Sequence, residues 1–280
     1  MTFNKFLTYL LCVLLTVSFA TSEERNQILT DSQSEANGAF LAVEQSLDRH
    51  MAIFRNDLNV YDFHPPSIVI GSTPTSLWDV FSRESSALSQ FEFLDAFTPR
   101  CNSRETVYGI YTGDVIALCI FDSENFDPEI SRKFISITLA HELFHAAQFS
   151  LLGINSLDEV KSSIDTLGPA WLLEGSAFYF GEFHGCPSCD GLEPNNVING
   201  LSRISEGFSQ SYEELELFDD SPPHSEALYY KGFLASLVLA RDHGDKALIE
   251  FYERLGSGEK WESAFYSSFG IEVDDFYSEL

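Results

Sequence analysis

Basic residues are scarce in this chain. Its 280 residues include 16 Lys and Arg against 43 Asp and Glu, which gives a formal net charge of −27 at pH 7. A protein that binds nucleic acid by neutralising phosphates needs an excess of cations, so this class is excluded. The same deficit argues against docking on anionic membranes and against strongly acidic substrates.

Internal repeats, low-complexity tracts and long linkers are lacking as well. Intrinsic disorder is excluded, because 44% of the residues are hydrophobic and the chain contains 25 Phe and 11 Tyr that can bury apolar surface. The length suits one sizeable core, or two lobes around a cleft. We therefore expect an acidic, folded, globular protein.

Only one long hydrophobic run is present, from Phe6 to about Ala20. It follows the basic residue Lys5 and ends in Ser18-Phe19-Ala20, which places small residues where a signal peptidase reads them. At roughly 15 residues, it is shorter than the ~20 that a membrane-spanning helix needs. The run predicts a signal peptide over residues 1–20 and export to the periplasm or the extracellular space, with no stable membrane insertion after cleavage. An uncleaved anchor is the alternative.

Cysteine is sparse, and one of the five, Cys12, lies within the predicted signal peptide. The even number left in an exported protein favours two disulfides. Pairing by proximity along the chain predicts Cys101–Cys119 and Cys186–Cys189. For the second pair, a redox motif or a metal site that includes His184 is the alternative.

Hydrophobic periodicity predicts an α+β fold, with a small sheet-bearing N-terminal lobe (residues 21–128) and a helical C-terminal lobe (residues 129–280). Helical spacing of apolar residues occurs at 33–58, 75–95, 130–152, 170–181, 225–243, 246–255, 259–268 and 272–280. Strand patterns occur at 67–70 and in a hairpin formed by 107–111 and 115–121.

The segment His141-Glu142-Leu143-Phe144-His145 has the H-E-x-x-H pattern and lies in the predicted helix 130–152. Residues four apart on a helix differ by about 40° in direction, so both imidazoles project from one face and can reach one zinc ion. Glu142 lies near the same face and can act as a general base without being a ligand. The alternative, a helix with two surface histidines, is disfavoured by the apolar flanks, where unpaired polar groups are costly to bury.

Glu174 is the expected third ligand. It is the one acidic residue in the apolar helical stretch 170–180, which follows a Gly168-Pro169 helix start. A lone buried carboxylate needs a partner, and a zinc ion held by two histidines needs a third protein ligand. Such a site leaves a fourth position open for water, as a catalytic zinc requires.

The segment Trp-Leu-Leu-Glu-Gly-Ser-Ala-Phe-Tyr at 171–179, downstream of the H-E-x-x-H pattern, resembles the gluzincin metallopeptidases of the peptidase MA-like group. In that group the second helix supplies the glutamate ligand. Tyr229-Tyr230-Lys231-Gly232 is similar to a Tyr-x-Lys-Gly segment of the zinc aminopeptidases, and the resemblance gives Tyr229 their role of stabilising the oxyanion. The tail 256–270 is also similar to the group. The resemblance covers about residues 105–280 and implies a single zincin-like catalytic domain over residues 21–280.

One departure from the aminopeptidases concerns the strand whose glutamate binds the free amine of the substrate. The corresponding strand here, 109–121, contains no glutamate, and Asp114 lies in a turn. This favours cleavage within a chain. We expect an exported zinc endopeptidase that acts on peptides or proteins and pairs the substrate backbone with an edge strand at 115–121. The alternatives are an enzyme of the same type that trims one partner, and a non-catalytic binding or scaffold protein.

Other polar residues are weaker candidates. Tyr230 is the neighbour most easily mistaken for Tyr229, and a surface-loop position is favoured for His224 over a role at the oxyanion. The acidic clusters 122–127 and 213–220 lack the glycine and the spacing of an EF-hand loop, so we interpret them as solvated surface. The remaining histidines have no partner at ligand spacing and are interpreted as structural or solvent-facing: His50, His64 and His243.

Overall fold

A computed structural model describes residues 27–36, 38–101, 107–120, 128–154, 164–186, 194–218 and 223–280. The predicted signal peptide, Cys189 and the acidic cluster 122–127 lie outside these ranges. Within them, no helix is long and apolar enough to cross a membrane.

The described residues form a mixed α and β fold that is mostly helical, with a small four-stranded sheet, in agreement with the predicted α+β class. The strands are β1 (Ile28–Thr30), β2 (Ser67–Gly71), β3 (Val107–Tyr111) and β4 (Val115–Ile120). The helices of the N-terminal half are α1 (Ser32–Ala36), α2 (Ala39–Asn56), α3 (Pro74–Glu84) and α4 (Gln90–Cys101). Those that follow are α5 (Pro128–Leu152), α6 (Ile164–Leu167), α7 (Ala170–His184), α8 (Pro194–Ser205), α9 (His224–His243), α10 (Asp245–Gly256), α11 (Trp261–Phe269) and α12 (Val273–Glu279).

The continuous helix predicted over 75–95 is wrong, because two helices, α3 and α4, divide this region. The chain leaves the helical conformation at Ser85, and a new start is built around Ser89 and Glu92. The Ser89 backbone N–H donates to the Glu92 carboxylate (2.8 Å), and the Glu92 N–H donates to the Ser89 hydroxyl (3.3 Å). This reciprocal pair is a capping box, which satisfies two backbone donors that would otherwise be unpaired.

Other elements also differ from the predicted ones. The region 33–58 is interrupted at Gly38, whose φ of 76° lies in the left-handed region, so that α1 and α2 are separate helices. Three short or weakly patterned elements were not predicted from the sequence: β1, α6 and α8.

The sheet has the strand order β1-β2-β4-β3, with β1, β2 and β4 parallel and β3 antiparallel to β4. The predicted hairpin is therefore present. Its second strand is not an edge strand, and the expectation that the substrate pairs with 115–121 is wrong. All six residues of β4 are buried, and the strand is bonded to β2 on one side and β3 on the other. The free edge on this side of the sheet belongs to β3.

Two apolar layers cover the faces of the sheet. On one face, α3 and α4 pack a cluster of phenylalanines, and the predicted disulfide Cys101–Cys119 joins the end of α4 to β4. Cys186 is also disulfide-bonded, although the other half of the predicted pair, Cys189, lies outside the described residues. On the opposite face, a larger core continues from α2 and the sheet through α5 into the C-terminal helices.

Helix α7 lies in the middle of the helical region, against α5 on one side and α9 on the other. Its residues are apolar around most of the helix, as expected for a helix that is buried on several sides. Glu174 is carried on this helix, so its carboxylate is held within the core rather than on a surface loop.

Candidate metal centre

Three side chains that the sequence predicts as metal ligands come together between α5 and α7. His141 and His145 project from α5, with Nε2 atoms 3.1 Å apart. The Glu174 Oε2 atom lies 3.8 Å from Nε2 of His141 and 3.4 Å from Nε2 of His145. The three side chains form a group with the composition and spacing to hold a metal ion.

The spacing of the three donor atoms suits a small tetrahedral cation. Ligands that lie about 2.0–2.1 Å from a zinc ion at the corners of a tetrahedron are about 3.3 Å apart. The observed separations of 3.1, 3.4 and 3.8 Å bracket that value. Two imidazole nitrogens and one carboxylate oxygen are also a donor set that catalytic zinc sites use. The three side chains therefore have the donor atoms and the spacing that a zinc ion requires.

The site is enclosed, and this burial shifts the pKa values of its side chains. The side chains of His141, His145 and Glu174 are 15%, 11% and 12% exposed. Burial lowers the pKa of His141 to about 3, with a further contribution from the charge of His145. Burial also lowers the pKa of His145, but the Glu174 carboxylate outweighs it and raises the pKa to about 9. Without a metal, a proton on His145 thus compensates the negative charge of the buried Glu174 carboxylate.

Gln148 fixes the orientation of the His145 ring. Its Oε1 atom lies 2.8 Å from Nδ1 of His145, and its Nε2 group donates to the Leu173 carbonyl (3.0 Å) and to the Ser176 hydroxyl (2.9 Å). Because an amide oxygen only accepts, Nδ1 of His145 carries the proton and Nε2 is left to bind a metal. The fully buried Gln148 side chain also connects α5 to the helix that carries Glu174.

We expect Gln148→Met to lower the affinity for zinc by about 10–100-fold, because the ring of His145 loses its fixed tautomer and direction. Competition with a chromogenic chelator measures this change. Gln210→Met is the matched control, since Gln210 is also a buried glutamine and its backbone carbonyl accepts a hydrogen bond from Lys231. Equal affinity in the wild type and in Gln148→Met would contradict this role.

Glu142 lies beside the three ligands without being one of them. The Tyr111 backbone N–H donates a hydrogen bond to its carboxylate, and Gly109 of the same strand lies against its side chain. A β-carbon added at Gly109 would approach Cγ of Glu142 to 2.9 Å. Burial raises the pKa of Glu142 to about 7, although the charge of His145 opposes this shift. A carboxyl group with a pKa in this range is suited to exchanging protons near neutral pH.

Tyr229 reaches the site from α9. Its hydroxyl group forms a hydrogen bond with the Glu174 carboxylate, whose negative charge is the largest of the effects that raise the pKa of the phenol. Tyr230 points elsewhere, with its ring stacked on Phe208 at 5.9 Å between centroids. The two neighbouring tyrosines therefore differ in position, and it is Tyr229 whose hydroxyl group lies beside the three candidate ligands.

The close crossing of α7 and α9 brings Tyr229 to Glu174. At this crossing, Gly175 faces Gly232, and a β-carbon on Gly175 would overlap the Gly232 backbone. A β-carbon on Gly232 would in turn overlap the carbonyl of Trp171. The glycine after Glu174 and the glycine after Lys231 thus allow the two helices to approach at backbone distance.

The remaining histidines are not at this site. His224 is the first residue of α9 and is partly buried, rather than on a surface loop as the sequence suggested. His184 pairs with Asp245 (3.0 Å) rather than joining a metal site with the nearby cysteines. His50 is buried against Ser136, and burial lowers its pKa to about 3. The other two are exposed, in agreement with a solvent-facing position: His64 and His243.

Sequence reasoning did not identify Gln148, although a signal for it exists. Gln148 is three residues after His145 on a helix and therefore projects from the same face. A polar residue in that direction within an apolar helix needs a buried partner. The roles of Tyr111 and Gly109 could not have been found this way, because they depend on where β3 lies relative to α5.

Comparison of the chain with protein-family models, curated proteins and solved structures finds no match. The function of the protein is therefore inferred from its own residues and their arrangement.

Proposed function

We propose that the protein is an exported zinc-dependent endopeptidase of the zincin-like type, related to the gluzincins. The observation that carries the proposal is the position of Glu142, a buried carboxyl group beside a complete set of three ligands. A structural metal site has no use for a further buried carboxyl group beside its three ligands. A hydrolase needs one that can accept and return a proton.

Zinc is the metal that we propose. Two imidazole nitrogens and a carboxylate oxygen at near-tetrahedral spacing favour zinc over magnesium or calcium, which take six or more oxygen ligands. When bound, zinc supplies Lewis acidity that polarises a carbonyl group and makes water more acidic.

Three residues of the protein supply the other catalytic functions. Glu142, held by the Tyr111 N–H, accepts a proton from the attacking water and delivers it to the leaving amine nitrogen. The Tyr229 hydroxyl, beside Glu174, donates a hydrogen bond to the oxyanion that develops on the scissile carbonyl. Gln148 holds His145 in position while these protons move.

The free edge of β3 is where we place the substrate backbone. The Thr112 N–H bonds the Val115 carbonyl, so residues 112, 110 and 108 bond to β4 and the alternate residues point their backbone groups outward. Two of the outward groups meet α5, since the Val107 carbonyl accepts from Thr138 (3.3 Å) and the Tyr111 N–H bonds Glu142. The N–H and carbonyl groups of Gly109 lie between them, and although Gly109 is buried, these are the backbone groups of β3 that we propose pair with an extended peptide.

The disulfide Cys101–Cys119 supports export, because such bonds persist in oxidising compartments. The hydrophobic run at residues 6–20 supports it independently.

Metal removal tests the proposed activity. We expect the zinc-loaded protein to cleave an unfolded protein and a peptide blocked at both ends, since an endopeptidase needs neither terminus. A chelator should abolish cleavage, and one equivalent of zinc should restore it. Mass spectrometry of the products locates the cleaved bonds. Cleavage that persists in the metal-free protein, or a zinc-loaded protein that cleaves neither substrate, would overturn the proposal.

A further inference from the structure

A row of aromatic rings lies beside the metal centre, on the side of His141. The ring of Phe178 is 6.3 Å from the His141 ring, 6.1 Å from the Tyr229 ring and 5.1 Å from the Phe233 ring, measured between centroids. All three contacts are edge-to-face, a favourable arrangement for aromatic pairs. We call Phe178, Tyr229 and Phe233 the aromatic wall.

The helices explain why the wall faces the metal centre. Phe178 follows Glu174 by four residues on α7, so both side chains project from the same face. Tyr229 and Phe233 are also four residues apart, on α9. Phe178 therefore lies one turn from a metal ligand and contacts two successive turns of the helix that carries the tyrosine of the site.

Part of this wall is accessible. Phe178 is half-buried, and Tyr229 is 39% exposed although its hydroxyl group bonds Glu174. Phe233 is buried behind them at 6% exposure and supports the ring of Phe178. Partly exposed aromatic rings thus lie beside His141 and Glu174, with Glu142 and Glu174 as the nearby acidic groups.

We propose that Phe178 determines specificity and selects peptides with a large apolar side chain, preferably aromatic, in a residue next to the scissile bond. This inference rests on the proposed peptidase function. An apolar side chain gains free energy by leaving water against the wall, whereas an aspartate would lose its hydration there without gaining a polar partner. The aromatic wall thus indicates which peptides are substrates, which the metal centre alone does not determine.

The test compares two peptides, both blocked at their ends, that differ only in having Phe or Asp beside the bond cleaved by the wild type. We expect the wild type to prefer the Phe peptide in kcat/KM. In Phe178→Ala the ratio should fall by about 10-fold, the size expected for an aromatic contact and its buried area. Phe178→Leu keeps the apolar surface without the ring and should give an intermediate ratio.

Phe183→Ala is the matched control. Phe183 lies on the same helix and its ring contacts those of Tyr179 and Phe233, whereas Phe178 contacts His141. Its replacement should leave the ratio unchanged. Zinc affinity and the thermal midpoint are measured for each variant, so that loss of the fold or of the metal is separated from loss of preference.

Binding gives a readout that does not depend on turnover. Zinc-loaded Glu142→Gln should bind the Phe peptide more tightly than the Asp peptide, and adding Phe178→Ala should reduce that difference by about 10-fold. If the wild type cleaves peptides without apolar preference, or if folded Phe178→Ala and Phe178→Leu keep the wild-type ratio, the inference is wrong while the proposed function stands. If the zinc-loaded wild type cleaves no peptide and Glu142→Gln binds both alike, both are wrong.

Discussion

Glu142→Gln should reduce kcat/KM by at least about 10³-fold while the protein keeps its zinc. General acid–base catalysis by one group contributes about 10²–10⁴-fold, and here one group both takes the proton from water and returns it to the leaving nitrogen. Glutamine has nearly the same size and can still accept the Tyr111 N–H, so the fold and the ligands should be unaffected. Steady-state kinetics on the doubly blocked peptide, together with zinc content by atomic emission, checks both halves of the expectation.

The control for this substitution is Glu182→Gln. Glu182 is a half-buried glutamate on α7, and burial raises its pKa too, but it is two turns beyond Glu174. Its replacement should leave kcat/KM within a few-fold of the wild type. A Glu142→Gln variant that retains zinc and cleaves at the wild-type rate would exclude Glu142 as the base. A wild type that binds zinc without any turnover would instead indicate a structural metal.

Glu174→Ala should lower the affinity for zinc by more than about 100-fold, beyond the range that supporting residues produce. The variant leaves only His141 and His145 as ligands, and it removes the negative charge that offsets the cation in an enclosed site. The hydroxyl group of Tyr229 also loses its partner. Activity should be lost together with the metal.

Isothermal titration with zinc, or competition with a chelator of known affinity, measures this effect. Glu182→Ala, on the same helix, should bind zinc as the wild type does. If Glu174→Ala bound zinc with unchanged stoichiometry and affinity, the third ligand would have to be another residue. Circular dichroism of the metal-free proteins separates loss of a ligand from loss of the fold.

The group of three candidate ligands could be predicted because its signals are local. His141 and His145 are related by one helical turn, a spacing that needs no knowledge of the tertiary fold. Glu174 was identified by chemistry, since an acidic residue in an apolar helix requires a buried partner. The helix and the hairpin that flank the site were also predictable from periodicity, and the Cys101–Cys119 pair from proximity along the chain.

The errors concern long-range order. The position of β4 inside the sheet depends on its pairing with β2, which is more than forty residues earlier in the chain. Its uninterrupted apolar sequence, buried along its whole length, is typical of a central parallel strand rather than an edge. Residues 75–95 were predicted as one helix because their apolar residues keep helical spacing on both sides of Ser89 and Glu92. These two residues in fact form the cap at which a second helix begins.

The position of Tyr229 was suggested by family resemblance rather than by a local pattern. The reason it reaches the site is the contact between Gly175 and Gly232. A glycine within a helical segment does not indicate from the sequence alone which helix packs against it. Here the two glycines allow the backbones of two particular helices to approach closely. The same holds for Gly109, which leaves room for Glu142 beside β3.

The most direct test of the metal centre is a crystal structure of the zinc-loaded protein with diffraction data collected on both sides of the zinc absorption edge. We expect one strong anomalous peak per chain, about 2.0–2.2 Å from Nε2 of His141, Nε2 of His145 and a carboxylate oxygen of Glu174. Absence of a peak among these three side chains, or zinc bound only at other residues, would contradict this expectation.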